Sequence, residues 1–181
     1  MKTLLLSLAA LPFLTTAVLA DSWTVDPAKS TLGFEVGQAD GAVKGQFQAF
    51  EADIDFDPAN PGAAKISARI DTLSVATGNR QYDDMLAQPD YFNANTLSVA
   101  TFETSAVTAL GDDRYQAEGT VSIKGIAQPV TLVFTLHIEG DTAHAVGTAE
   151  LSRSAFDMGA SVTPPTLSDA VTVSLDLTAS R

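Results

Sequence analysis

Residues 130–151 read Val130-Thr-Leu-Val-Phe134-Thr-Leu-His137-Ile138-Glu-Gly140-Asp141-Thr-Ala143-His144-Ala-Val-Gly147-Thr-Ala-Glu-Leu151, and the period of this stretch decides the fold class. Val130, Leu132, Phe134, Leu136 and Ile138 alternate with Thr131, Val133, Thr135 and His137. A two-residue repeat of apolar side chains is the signature of a β-strand with one buried face. Gly140-Asp141 supplies a hairpin turn, and a second strand returns from Ala143 to Leu151. The unit of this chain is an antiparallel hairpin.

The same pattern spreads outward in both directions. Upstream, Lys124-Gly125-Ile126-Ala127-Gln128-Pro129 reads as a turn, preceded by a strand through Gly119, Val121 and Ile123. Gly111-Asp112-Asp113 is a further hairpin turn, and Ala100 to Val107 the strand before it. Nearer the N-terminus, Leu32, Phe34 and Val36 alternate with Thr31, Gly33 and Glu35. Val43, Gly45 and Phe47 continue the alternation, which then slips by one to Phe50, Ala52, Ile54 and Phe56. A slip of phase inside a long run marks a bulge or bend. Asp57 to Gly62 is dense in turn formers, and Ile66, Ala68 and Ile70 open the next strand. A final strand runs from about Asp169 to Thr178. The pattern fails only between Gly78 and Asn95, where Asn79 can cap a short helix carrying Tyr82, Met85 and Leu86, stopped by Pro89. The sequence therefore predicts an all-β chain of eight antiparallel strands with a helical insert near residues 78–92.

A sheet of that length must hide its edges, by closing or by folding into a sandwich. Small residues at inward positions (Ala52, Ala68, Ala143, Ala145, Gly147) leave room beside a scatter of phenylalanines. Eight strands enclose an interior that side chains can fill or that can hold one small ligand. Pattern alone leaves both open.

Lys2, the apolar run Leu4 to Leu19 and the small residues ending at Ala20 make residues 1–20 a cleavable secretory leader. Residues 21–181 remain as one domain, with nine basic against 22 acidic side chains and a net charge of −13. Such a chain is repelled by phosphate backbones, so nucleic acid is not its partner. There is no cysteine, hence no disulfide and no thiolate metal site.

Few residues can carry chemistry. The only two histidines, His137 and His144, face one another if Gly140-Asp141 is a two-residue loop, but no third ligand follows at a metal-site spacing. Asp53, Asp55 and Asp57 lie along a strand without the glycine or distal glutamate of a calcium loop, and read as a solvated face. No nucleophile elbow or phosphate-cradling glycine loop occurs. The expectation is a binding module with no catalytic or metal-ligating residues and no required cofactor, its pocket apolar with a few polar groups at the mouth.

Four stretches carry a resemblance. The first is Asp26 to Ser30 with Phe34, Val36 and Val43 to Phe47, and the second Ile54 to Asn60 continuing to Ile70-Asp71. The third is Thr77-Gly78-Asn79 with Asp83, Leu86, Asp90, Tyr91, Phe92 and Ala100 to Phe102. The fourth is Gly119 to Ile123, Gly125 and Pro129 to Leu132, followed by Arg153 and Phe156. In this order they resemble the YceI-like, polyisoprenoid-binding family of exported, lipocalin-like bacterial proteins. The resemblance implies an elongated eight-stranded barrel around a tunnel for a polyprenyl lipid or an isoprenoid quinone. It departs from the family where histidines often stand, at Lys29, Gln38 and Lys124, at Leu97-Ser98 in place of a Tyr-Pro pair, and in lacking a tryptophan near Gly159 to Thr166.

The expected function is periplasmic binding, transport or storage of a long apolar ligand. The rival expectation is an accessory protein presenting a quinone to a membrane b-type cytochrome. Strand residues Phe34, Val36, Phe47, Ile70 and Phe102 should line the tunnel, as should Val121, Ile123, Phe134 and Phe156 further on. Met85, Leu86, Tyr91 and Phe92 should close or gate one end. Monomer and homodimer are both left open.

Overall fold

The structure is a computed structural model, and it describes residues 21–39 and 41–181. The secretory leader expected over residues 1–20 lies outside the described residues. Strands β1 (Asp21–Val25), β2 (Thr31–Gln38), β3 (Gly41–Phe47), β4 (Phe50–Phe56), β5 (Lys65–Asp71) and β6 (Val75–Ala76) precede one helix, α1 (Arg80–Leu86). Five longer strands follow: β7 (Val99–Gly111), β8 (Arg114–Ile123), β9 (Ile126–Glu139), β10 (Thr142–Ser152) and β11 (Leu167–Ser180).

These eleven segments make eight strands in space. β1 and β2 lie end to end along β11, separated by a single 3-10 turn at Pro27–Lys29 that the Asp26 carboxylate caps through the Ala28 amide at 3.0 Å. β3 and β4 form a second composite strand, broken only at Gln48-Ala49, where the sequence shows its slip of phase. β5 and β6 form a third, kinked at Thr72–Ser74. The second and third breaks are adjacent: the Gln48 amide donates to the Ser74 carbonyl at 3.1 Å and the Asp71 amide to that of Ala49 at 3.0 Å. Every pairing is antiparallel, and β1 joins β4 on one side and β11 on the other, closing the sheet on itself. The barrel is an eight-stranded meander with no free long edge.

Turn chemistry accounts for the connections. Asp112 and Asp113 have φ of 52° and 56°, and Lys124 and Gly125 have 55° and 79°, the paired positive values of a two-residue type I′ hairpin. The second of these corrects the reading of Lys124 to Pro129 as one turn: strand resumes at Ile126, with Pro129 inside β9 opposite Thr120. Proline is tolerated there because β10 pairs only with Leu132–Glu139, leaving residues 126–131 an edge on that side. β7 is longer than expected and carries a bulge between Thr104 and Ala106, which puts even-numbered Phe102 and odd-numbered Val107 both inside.

Helix α1 forms as the sequence predicts. The Asn79 side chain accepts from the Gln81 amide at 3.0 Å, and Asp83 ties the helix down by accepting from the Thr77 amide at 2.7 Å and the Thr77 hydroxyl at 2.6 Å. Two buried clusters mark the two ends of the barrel. One contains Trp23, Phe56, Val107, Tyr115 and Phe134; the other, beneath α1 and the loop after β10, contains Val75, Phe92, Ala94, Ile123 and Phe156. Among the described residues no helix is long and apolar enough to cross a membrane.

Candidate apolar binding cavity

Between the two clusters the barrel is hollow. The cavity has a volume of about 570 Å³, within the usual range for a small-molecule site. Both readings that the pattern leaves open are therefore partly right: the middle is a void, and one end is filled.

The void follows from residue size at register partners. Ala52 faces Ala68 across β4 and β5, and Ala68 in turn faces Phe102 on β7. On the opposite wall Ala145 lies between Leu136 and Leu177. Where a ring does lie across the wall, glycine accommodates it. A Cβ on Gly45 would sit 2.5 Å from the Phe34 ring, and one on Gly147 2.6 Å from the Cβ of Phe134.

The nine residues expected to line the interior and the four expected to close one end all touch the cavity. β2 and β3 supply Phe34, Val36 and Phe47, β5 Ile70, and β7 Phe102. β8 contributes Val121 and Ile123, and β9 contributes Phe134. Met85 and Leu86 of α1, with Tyr91 and Phe92 just beyond it, form the cap, and Phe156 reaches in from the 3-10 turn at Ser154–Phe156. The cap is keyed to the wall by rings: Phe92 meets Phe47 edge-on at 5.7 Å, and Phe47 meets Phe34 at 5.8 Å.

The far end is closed by Phe134, which the sequence reading named, together with Trp23, Phe56 and Tyr115, which it did not name as lining. Tyr115 stacks on Phe134 with centroids 5.5 Å apart, and both meet Phe56 edge-on, at 5.2 and 6.5 Å. Trp23 completes the plug, its indole N–H donating to the Phe56 carbonyl at 3.1 Å, with the Arg181 guanidinium 4.9 Å above its ring. Burial, with the Asp113 carboxylate close by, pushes the Tyr115 phenol above its ordinary range and keeps it neutral. Aromatic residues near turns are ordinary in a strand pattern, so the sequence carries no signal that these four converge.

Polar groups gather at the capped end. Gln38 closes β2 and accepts from the Tyr82 hydroxyl of α1 at 3.3 Å; Thr166 lines the cavity from the loop before β11. Met85, 38% exposed, and exposed Thr166 both touch the cavity and outline its opening. A bulge between Leu167 and Val171 bends β11 away from β2 beside this opening.

Arg153, only 6% exposed, is the one cationic side chain on the wall among the described residues. Its Nε donates to the Ser168 carbonyl at 2.9 Å, Nη1 to those of Met158 and Gly159, each at 2.7 Å, and Nη2 to those of Val162 and Leu167. All five N–H groups are occupied by backbone. Beside it, hydrogen bonds from Ser152 and Ser154 hold the Asp169 carboxyl below the usual carboxylate range. The Gly159 amide donates to the Asp90 carbonyl at 2.6 Å, joining the loop that Arg153 organises to the cap.

The histidines face one another as register partners on the outer wall, His137 close to Glu139 at 3.0 Å and His144 to Asp176 at 2.7 Å. Among the described residues no group of three or more histidine, cysteine or acidic side chains could hold a metal ion.

Comparison with known proteins places this geometry. A family model described as a YceI-like domain matches residues 23–179. The UPF0312 protein of Ectopseudomonas mendocina (strain ymp) is 30% identical over 120 residues, covering 63% of this chain and 63% of that protein, so the match spans less than two thirds of that relative's length. BcnA of Burkholderia cenocepacia superimposes with a TM-score of 0.80 at 32% identity, covering 85% of this chain and 98% of BcnA. A polyisoprenoid binding domain from Saccharophagus degradans has the same fold, with a TM-score of 0.69, 16% identity, and coverage of 90% of this chain and 98% of that domain.

Proposed function

Because this chain belongs to the YceI-like family, we propose that it binds a long apolar molecule, a polyisoprenoid or an isoprenoid quinone, and carries or stores it in an exported compartment such as the periplasm. The observation that carries this reading is the largely apolar cavity of about 570 Å³, with the hydrogen-bonding side chains of Gln38, Tyr82 and Thr166 at its open end. That distribution suits an amphiphile whose tail lies inside and whose head stays at the mouth. Burying each methylene contributes about 0.8 kcal/mol, so a ten-carbon tail supplies several kcal/mol after ordering costs. The four-residue aromatic plug means that the tail enters end-on.

The test is native mass spectrometry of the mature protein purified from its exported compartment, followed by organic extraction. A stoichiometric polyprenyl or quinone species is the expected result. A protein of bare sequence mass that also refuses added isoprenoids would remove the proposal.

A further inference from the structure

Among the described residues, the wall at the mouth of the cavity offers hydrogen bonds but no cation with a free donor. Arg153 is buried beside it, yet every N–H of its guanidinium already serves a backbone carbonyl, leaving none to grip an anion. A phosphate head is normally held by the in-plane donors of an arginine fork or by an ammonium group. Lys124 of the β8–β9 turn donates to the Asp157 carbonyl at 3.0 Å, and Arg80 of α1 lies 3.7 Å from Asp84; both are outside the cavity wall.

The surroundings are also of the wrong sign for an anion. The two segments that cover this end, residues 80–92 and 157–169, carry Arg80 against Asp83, Asp84, Asp90, Asp157 and Asp169, a net charge of −4, which Lys124 and Arg153 beside them reduce to −2. A dianionic or trianionic head entering here meets repulsion from outside and unmatched desolvation within. Gln38, Tyr82 and Thr166, by contrast, present an amide and two hydroxyls. With Tyr82 donating to the Gln38 oxygen, the amide NH₂ can donate and the phenol oxygen can accept.

From this we propose that the mouth selects an uncharged, hydrogen-bonding head group (an isoprenoid alcohol, phenol or quinone) and rejects phosphate and diphosphate heads, with Gln38 and Tyr82 as the specificity-determining residues. The inference rests on the tail-binding reading above and narrows its ligand class.

The experiment is a pair of titrations on the mature chain, with geranylgeraniol and with geranylgeranyl diphosphate, which share one tail. The alcohol is expected to bind at least tenfold more tightly at low ionic strength, with the gap narrowing as salt screens the acidic rim. Equal or tighter binding of the diphosphate overturns the proposal while leaving tail binding intact. Binding of neither ligand removes the tail-binding reading itself. A second measurement addresses the two residues. Gln38→Leu combined with Tyr82→Phe should weaken the alcohol several-fold more than it weakens a head-group-free C20 isoprenoid hydrocarbon; equal losses for both would show that these side chains do not read the head.

Discussion

At the scale of single residues, Arg153 stands out because it is charged, buried and bonded only to backbone. Its five donors gather carbonyls from residues 158, 159, 162, 167 and 168, so the loop between β10 and β11 takes its shape from one guanidinium. Replacing Arg153 by Met leaves those carbonyls without their donors and should cost about 3 kcal/mol of stability, read as a lower Tm in thermal denaturation. Arg153→Lys should recover little of that loss, because an ammonium cannot reproduce a planar five-donor fork. An unshifted Tm for Arg153→Met would mean that the loop is held by other contacts. The resemblance marks this arginine together with Phe156 in the sequence, but its partners are irregular backbone, and side-chain patterns say nothing about where loop carbonyls point.

Among the elements, the strands were legible wherever one face is apolar and the other is not. The alternation from Val130 to Ile138 gave β9, the slip before Phe50 gave the break between β3 and β4, and Asn79 gave the start of α1. Pro129 misled because its tolerance depends on how far β10 extends, a pairing fact absent from local sequence. The bulge in β7 stayed hidden because Ser105 and Ala106 fit either face. Small residues proved the most informative part of the pattern, although their two uses look alike in sequence. Alanines at positions 52, 68 and 145 line the void, whereas Gly119 makes room for a close crossing: a Cβ there would lie 2.4 Å from the Glu103 carbonyl oxygen. That oxygen is main chain and cannot swing away, so Gly119→Ala should destabilise the barrel by about 1–3 kcal/mol, measured by denaturant unfolding. Ala145→Phe should act in the opposite sense, filling the void. Binding of an apolar fluorescent probe is expected to fall at least tenfold while the Tm holds or rises; a folded variant that still binds the probe would displace Ala145 from the ligand's path.

For the molecule as a whole, the two ends of the barrel differ in kind. One is closed by interlocked rings fixed through Trp23, Phe56 and Arg181; the other is covered by α1 and a loop joined through a single bond from Gly159 to Asp90. On the proposed reading, tail length is set by the distance from the mouth to the Tyr115–Phe134 stack. Phe134→Ala should shift the preferred isoprenoid upward in length, at about 3–5 kcal/mol of stability, and competition among prenols of increasing length reads the shift. An unchanged preference would place the stop elsewhere. On the same reading the blind end also governs traffic. A vessel with one door is loaded and emptied in reverse order, so whatever goes in tail-first comes out head-first. A recipient must therefore recognise the head before it can draw out the tail, and an incoming molecule cannot push the resident one through from behind. Exchange then has to wait for vacancy, and the proposed carrier is a cup that is handed over rather than a pipe that conducts.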